Sequence, residues 1–123
     1  MISQFGPTLT DKLLVVVLAG RNDVDRARQG LVFTKNSKRL LSEVHVLFFG
    51  PGVQLLDPSE KTYSDMEALL VDLGRLNVGV SACVSNVHKY GLDERLDRKL
   101  VIAEEAAFLI SDHVKKGYQT ISF

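Results

Sequence analysis

The chain has 123 residues, 46% hydrophobic and 24% charged, with a single cysteine and three histidines. This is the size and balance of one globular domain that buries a core without disulfides, and one cysteine forms no internal bridge. Fifteen basic residues offset fifteen acidic ones, which removes any general electrostatic pull toward nucleic acid or anionic lipid and is compatible with self-association.

Residues 1–11 read as an N-terminal arm, without the basic start and long apolar stretch of a signal peptide. The longest apolar run, 13–19, is too short to cross a bilayer. A cytoplasmic, reducing setting with no membrane partner is the expectation. The whole chain, 1–123, reads as one α/β domain with a mostly parallel, twisted sheet of about five strands and flanking helices.

In chain order, 13–18 (Leu-Leu-Val-Val-Val-Leu) is continuously apolar, as a central parallel strand covered on both faces must be. Asn22 or Asp23 then caps a helix whose Val24, Ala27 and Leu31 fall at helical spacing, predicted to reach about Leu41. A second buried strand, 44–49, closes at Gly50-Pro51-Gly52. Ser64 and Glu67 have capping-box spacing, and Met66, Leu69, Leu70, Leu73 and Leu76 form the apolar stripe of the next helix. Strand three, 78–82, leads to Cys83. A short helix over 84–90 follows, with Gly91 in the left-handed stop position. A short strand is predicted at 100–103. The spacing of Ala103, Ala106, Ala107, Ile110 and Val114 predicts a last helix, ended by Lys115, Lys116 and Gly117. Residues 118–123 make the final strand, and 57–63 and 93–99 read as surface connections.

In an open parallel sheet, ligands gather outside the carboxyl ends of the strands. Three segments converge there: Gly20-Arg21-Asn22, Gly50-Pro51-Gly52, and Ala82-Cys83. A cysteine where a strand runs into a helix faces unpaired backbone N–H groups, which favour the thiolate. Cys83 is therefore the candidate nucleophile. Arg21 and Asn22, the backbone at Gly50 and Gly52, and His88 form the candidate binding set around it. Arg21 offers a positive charge to an anionic sulfur species, and Gly52 allows close backbone approach. His88 lies about 500° around the helix from Cys83, off the thiol's own face, and is not cast as its paired base.

Other chemistries find little support. The glycines match neither a dinucleotide fingerprint nor a P-loop, so no cofactor is expected. Gly79-Val80-Ser81-Ala82-Cys83 lacks the last glycine of a nucleophile elbow, and strand alternation puts Ser81 and Cys83 on one side with Ser81 buried. His45, His88 and His113 sit in three elements with no pair at ligand spacing, so no metal is expected. No basic stripe with interleaved aromatics suggests nucleic acid.

The sequence resembles the DsrE-like family of sulfur-relay and sulfur-oxidation proteins from Lys12 to Phe123. The likeness rests on the apolar first strand followed by Asn22-Asp23, the turn Val46-Leu-Phe-Phe-Gly-Pro-Gly-Val53, the strand end Val78-Gly-Val-Ser-Ala-Cys83 with Tyr90-Gly-Leu92 behind it, and the closing Lys116-Gly-Tyr-Gln-Thr-Ile-Ser-Phe123. The resemblance implies a flavodoxin-like fold, assembly as a trimer or hexamer, and a persulfide on Cys83 passed by thiol exchange. With no second cysteine, sulfur moves to another protein or to a small thiol such as glutathione. Two rival readings stand beside it: a non-catalytic oligomeric module that binds a small ligand or docks a partner, with Cys83 as packing, and a flavin- or nucleotide-binding protein of the same fold.

Overall fold

The computed structural model describes residues 11–123, so the arm expected over 1–11 lies outside the described residues except for Asp11. Five strands form one parallel sheet: β1 (Lys12–Val17), β2 (Glu43–Phe48), β3 (Gly79–Cys83), β4 (Ile102–Glu104) and β5 (Gln119–Ser122). Their order is β4-β3-β2-β1-β5, with every pair parallel. Between them run α1 (Val24–Ser37), α2 (Tyr63–Arg75), α3 (Val84–Lys89) and α4 (Ala106–Lys115). This is the α/β architecture that alternating β-branched runs and helical spacing predict.

The two sheet faces are covered unequally. Strand side chains alternate between faces: Val15, Val17, Val46, Phe48 and Val80 point into a large core with Leu31 of α1, Leu70 and Leu73 of α2, and Val87 of α3. Leu14, Val16, Leu47 and Cys83 point the other way and meet only Ala106 and Leu109 of α4 among fully buried partners. Beyond β1, the Leu18 and Ala19 amides both donate to the Phe123 carbonyl at 2.8 and 3.1 Å, which extends the contact between β1 and the chain after β5 at the point where strand order reverses.

Several boundaries differ from the sequence reading, for local reasons. Helix α1 stops at Ser37 rather than near Leu41. Asn36 and Ser37 are weak helix formers, and the Arg39 and Leu40 amides tighten to three-residue bonds with Asn36 and Ser37. The Ser64–Glu67 capping box does not form: the cap lies two residues earlier, at Thr62, with no side-chain cap bond, and α2 begins at Tyr63. The Gly50-Pro51-Gly52 segment is not merely a turn but the start of a 3-10 helix, Gly50–Leu56, whose Val53, Leu55 and Leu56 are buried. The face that α4 turns to the sheet is Ala106 and Leu109, whereas Ala107 and Val114 are exposed and Ala103 belongs to β4. Gly91 is left-handed as expected, and Asn77 joins it at φ 65°.

The two longer connections are more tightly held than surface loops usually are. Leu96 is buried within the second connection, and Leu92 and Val101 are buried on either side of it. Arg95 donates to Asp57 at 2.7 Å. Burial alone pushes the Asp57 carboxyl up, but the Ser59 amide and hydroxyl together with Arg95 outweigh it and hold the pKa below the usual value.

Candidate functional site

Cys83 ends β3 and occupies the cap position of α3, with extended backbone (φ −63°, ψ 117°) and no side-chain cap bond. Its neighbour in register on β4 is Glu104. The thiol side of the residue packs among Leu14, Val16, Leu47, Ala106 and Leu109, and Cys83 is 5% exposed. The strand-end position expected from sequence is therefore present, beneath α4 rather than at an open mouth.

The other candidate residues take different places. Arg21 pairs with Glu60 through Nε at 3.2 Å and Nη2 at 2.9 Å, and its amide donates to the Gln54 side chain at 3.0 Å. Asn22 is exposed beside it, along an open cleft of about 460 Å³ that also includes Lys61 and Thr62. A side chain on Gly20 would strike the Pro51 carbonyl, and one on Gly52 would strike the Val17 carbonyl. The close approach that these glycines permit is thus between the ends of β1 and β2, not toward a ligand. Gly50 is left-handed (φ 57°), and its amide donates to Asn86 Oδ1 at 2.8 Å, which ties the β2 exit to α3. His88 lies at the far end of α3 with its side chain 83% exposed, paired to Asp93 at 3.1 Å. Cys83 is not brought together with Arg21 or His88 in any hydrogen bond or ion pair among the described residues.

What the fold does assemble on the Cys83 face is a polar chain that sequence spacing did not reveal. His45 of β2 contacts Ser81 Oγ through Nε2 at 2.9 Å, and Ser81 donates to Glu104 Oε2 at 2.5 Å. A carboxylate only accepts, so the Ser81 proton goes to Glu104 and His45 carries its proton on Nε2. Gly79 makes room for this ring, because a Cβ there would lie 2.6 Å from His45 Nδ1. The His113 ring lies tilted against that of His45 with centroids 4.8 Å apart, donates through Nδ1 to the Leu109 carbonyl at 2.7 Å, and meets Tyr118 edge-on at 4.5 Å. Tyr118 in turn donates to Glu43 at 2.7 Å.

Burial shifts two groups of this chain, His45 and Tyr118. It is the largest influence on His45, lowering the imidazole to about 4; His113 adds to the effect and Glu104 opposes it. Burial, then the bond to Glu43, pushes Tyr118 up to about 12. Both groups are neutral near pH 7. Ser81 links His45 to Glu104, so Ser81→Ala removes both hydrogen bonds and leaves the largely buried His45 imidazole without this partner, at an expected cost of about 1–3 kcal/mol read from urea unfolding. An unchanged midpoint would mean that the chain carries no net bonding.

Beside this polar chain, Glu104, Phe108, Leu109 and His113 line an open cleft of about 590 Å³ along α4. No group of three or more His, Cys, Asp or Glu among the described residues is placed to hold a metal ion. No helix among them is long and apolar enough to cross a membrane.

Three solved structures share this architecture. A conserved protein of unknown function from Bacteroides thetaiotaomicron superposes with a TM-score of 0.75 at 14% identity, covering 92% of this chain and 95% of its own. A protein of unknown function from Methanobacterium thermoautotrophicum gives 0.71 at 17% identity, covering 91% and 98%. The YchN protein of E. coli gives 0.75 at 12% identity, covering 94% and 100%. At such identities the likeness concerns the fold alone. No curated protein matches the sequence. The sequence pattern of the DsrE/DsrF-like family, however, matches residues 11–123. With that match spanning nearly the whole chain on a parallel sheet of the same architecture, the protein belongs to the DsrE/DsrF-like family.

Proposed function

We propose that this chain is a sulfur-relay protein that carries sulfane sulfur on Cys83 and passes it to a partner thiol. The observation that carries the reading is the position of the only cysteine: the last residue of β3, at the carboxyl edge of a parallel sheet, where the chain turns directly into α3. In the first step the Cys83 thiolate attacks the outer sulfur of a donor persulfide. The donor S–S bond breaks, the donor leaves as a thiolate with the bonding pair, and Cys83 becomes a persulfide. An acceptor thiolate then attacks the outer sulfur and releases the Cys83 thiolate, so the cycle needs no oxidant or reductant. With no second cysteine, both donor and acceptor come from outside the chain.

The protein works in the cytoplasm as a homo-oligomer of three or six copies. Family membership, a formal charge of zero and large exposed apolar residues such as Phe108 and Leu40 support self-association. A second reading, a non-catalytic oligomeric binding or regulatory module, is favoured by the burial of Cys83 among aliphatic side chains. A transfer assay separates the two. Protein treated with a low-molecular-weight persulfide and then desalted is expected to deliver sulfur to added glutathione, and Cys83→Ser is expected to deliver none. Equal delivery by both proteins, or none by either, favours the module.

A further inference from the structure

We propose that the β4–α4 junction, residues 102–109, is a local door that lifts from the sheet and exposes Cys83 while the rest of the fold stays intact. It rests on the sulfur-carrying reading only for its purpose; the motion itself is argued from packing.

The neighbours of Cys83 fall into two groups. Leu14, Val16 and Leu47 belong to β1 and β2, the interior strands, which are pinned on their other face by the core under α1 and α2. Ala106 and Leu109 belong to α4 and are the only buried residues of that ten-residue helix. A reagent therefore reaches the thiol with least disruption by displacing α4's first turns, since burial is what sets the local cost of opening.

The segment carrying those two residues is weakly held elsewhere. Among the described residues, strand β4 is three residues long, lies at the sheet edge and pairs only with β3. Ile102 and Phe108 point outward, 62% and 77% exposed, so within the chain they do not anchor it to the sheet. Glu105, at the cap of α4, makes no side-chain cap bond to the first-turn amides. The fastenings that remain are the short β3–β4 ladder, Ala103 at the margin of the large core, Ala106 and Leu109 as an apolar bolt, and the Ser81–Glu104 hydrogen bond as a polar latch between β3 and the door.

Thiol labelling of the whole protein with Ellman's reagent across a urea series, alongside global unfolding followed by circular dichroism, tests the motion. In native buffer, Cys83 is expected to label at least about tenfold faster than global unfolding allows, with a urea dependence well below the global one. Leu109→Ala is expected to raise that native-buffer rate about tenfold or more, and Glu104→Gln several-fold. Leu31→Ala, a comparable loss in the opposite core, is expected to leave the rate within about twofold. If Leu109→Ala does not fold, Glu104→Gln and amide hydrogen exchange of the unaltered protein carry the test, with 102–109 exchanging through cheaper openings than α1.

Labelling that follows the full urea dependence, with all variants accelerated in proportion to lost stability, overturns the door. So does labelling at the rate of an unfolded-chain cysteine regardless of variant. The outcomes are independent of the chemistry: a thiol that opens locally but never gains sulfur sinks the relay alone, and one that gains sulfur yet labels only on global unfolding sinks the door alone.

Discussion

Gly52→Ala is expected to cost about 4 kcal/mol or more, a large share of the roughly 5–15 kcal/mol that keeps a typical domain folded. The added methyl would drive into the Val17 carbonyl, which is main chain of an interior strand and has no rotamer to change. That same carbonyl accepts the Phe49 amide at 3.0 Å, so moving it also breaks the link from β1 to the β2 exit. Gly74→Ala is the matched control. That glycine lies exposed near the end of α2 with nothing within 4 Å of an added Cβ, and the change is expected to be neutral or to stabilise by up to about 1 kcal/mol. Urea midpoints of the two variants decide the matter. A Gly52→Ala protein as stable as the parent contradicts the packing of the 3-10 helix against β1.

The second large effect is a loss of stability in mild acid, centred on His45. Its folded pKa of about 4 lies below the ordinary 6.5, so the unfolded chain binds a proton that the native state refuses. The stabilisation is therefore fully present above about pH 6.5 and drains away as the pH falls toward 4. Between about pH 7.5 and pH 4.5 the loss amounts to about 2–3 kcal/mol. Asp57, whose pKa is lowered from 3.8, acts in a separate window, losing its contribution only as the pH falls below about 4. Urea unfolding at the two pH values, with the His45 imidazole followed by NMR, checks this. A flat stability profile, or an imidazole titrating near 6.5, contradicts the burial argument.

How far the sequence reveals the molecule depends on how local each signal is. Residues 13–18 are legible as a strand because a parallel strand buried on both faces is apolar throughout, and 44–49 and 78–82 because they are short runs rich in valine and other apolar residues despite His45 and Ser81. The 3-10 helix was hidden because Gly50, Pro51 and Gly52 announce a turn, while the burial of Val53, Leu55 and Leu56 follows from packing rather than periodicity. In α4 the apolar residues fall on both sides of the helix. Ala107, Phe108 and Val114 face outward while Ala106 and Leu109 face in, so spacing alone chose a stripe including Ala107 and Val114.

The candidate site shows the same division. Cys83 was legible because the strand-to-helix junction lies in contiguous sequence. The chain from His45 through Ser81 to Glu104 was not, because its members are 36 and 23 residues apart. They meet through strand register, His45 opposite Gly79 and Cys83 opposite Glu104, and His113 joins them when α4 crosses the sheet. Arg21 looked like an anion clamp because its partner Glu60 is 39 residues away.

The most direct measurement is peptide-resolved mass spectrometry after brief exposure of the folded protein to a persulfide donor, with and without later reduction. The expected result is one added sulfur atom on the peptide containing Cys83, removed by reductant and missing from Cys83→Ser. A protein that takes up no sulfur there, even when mild urea opens the thiol to labelling, would contradict the sulfur-relay assignment.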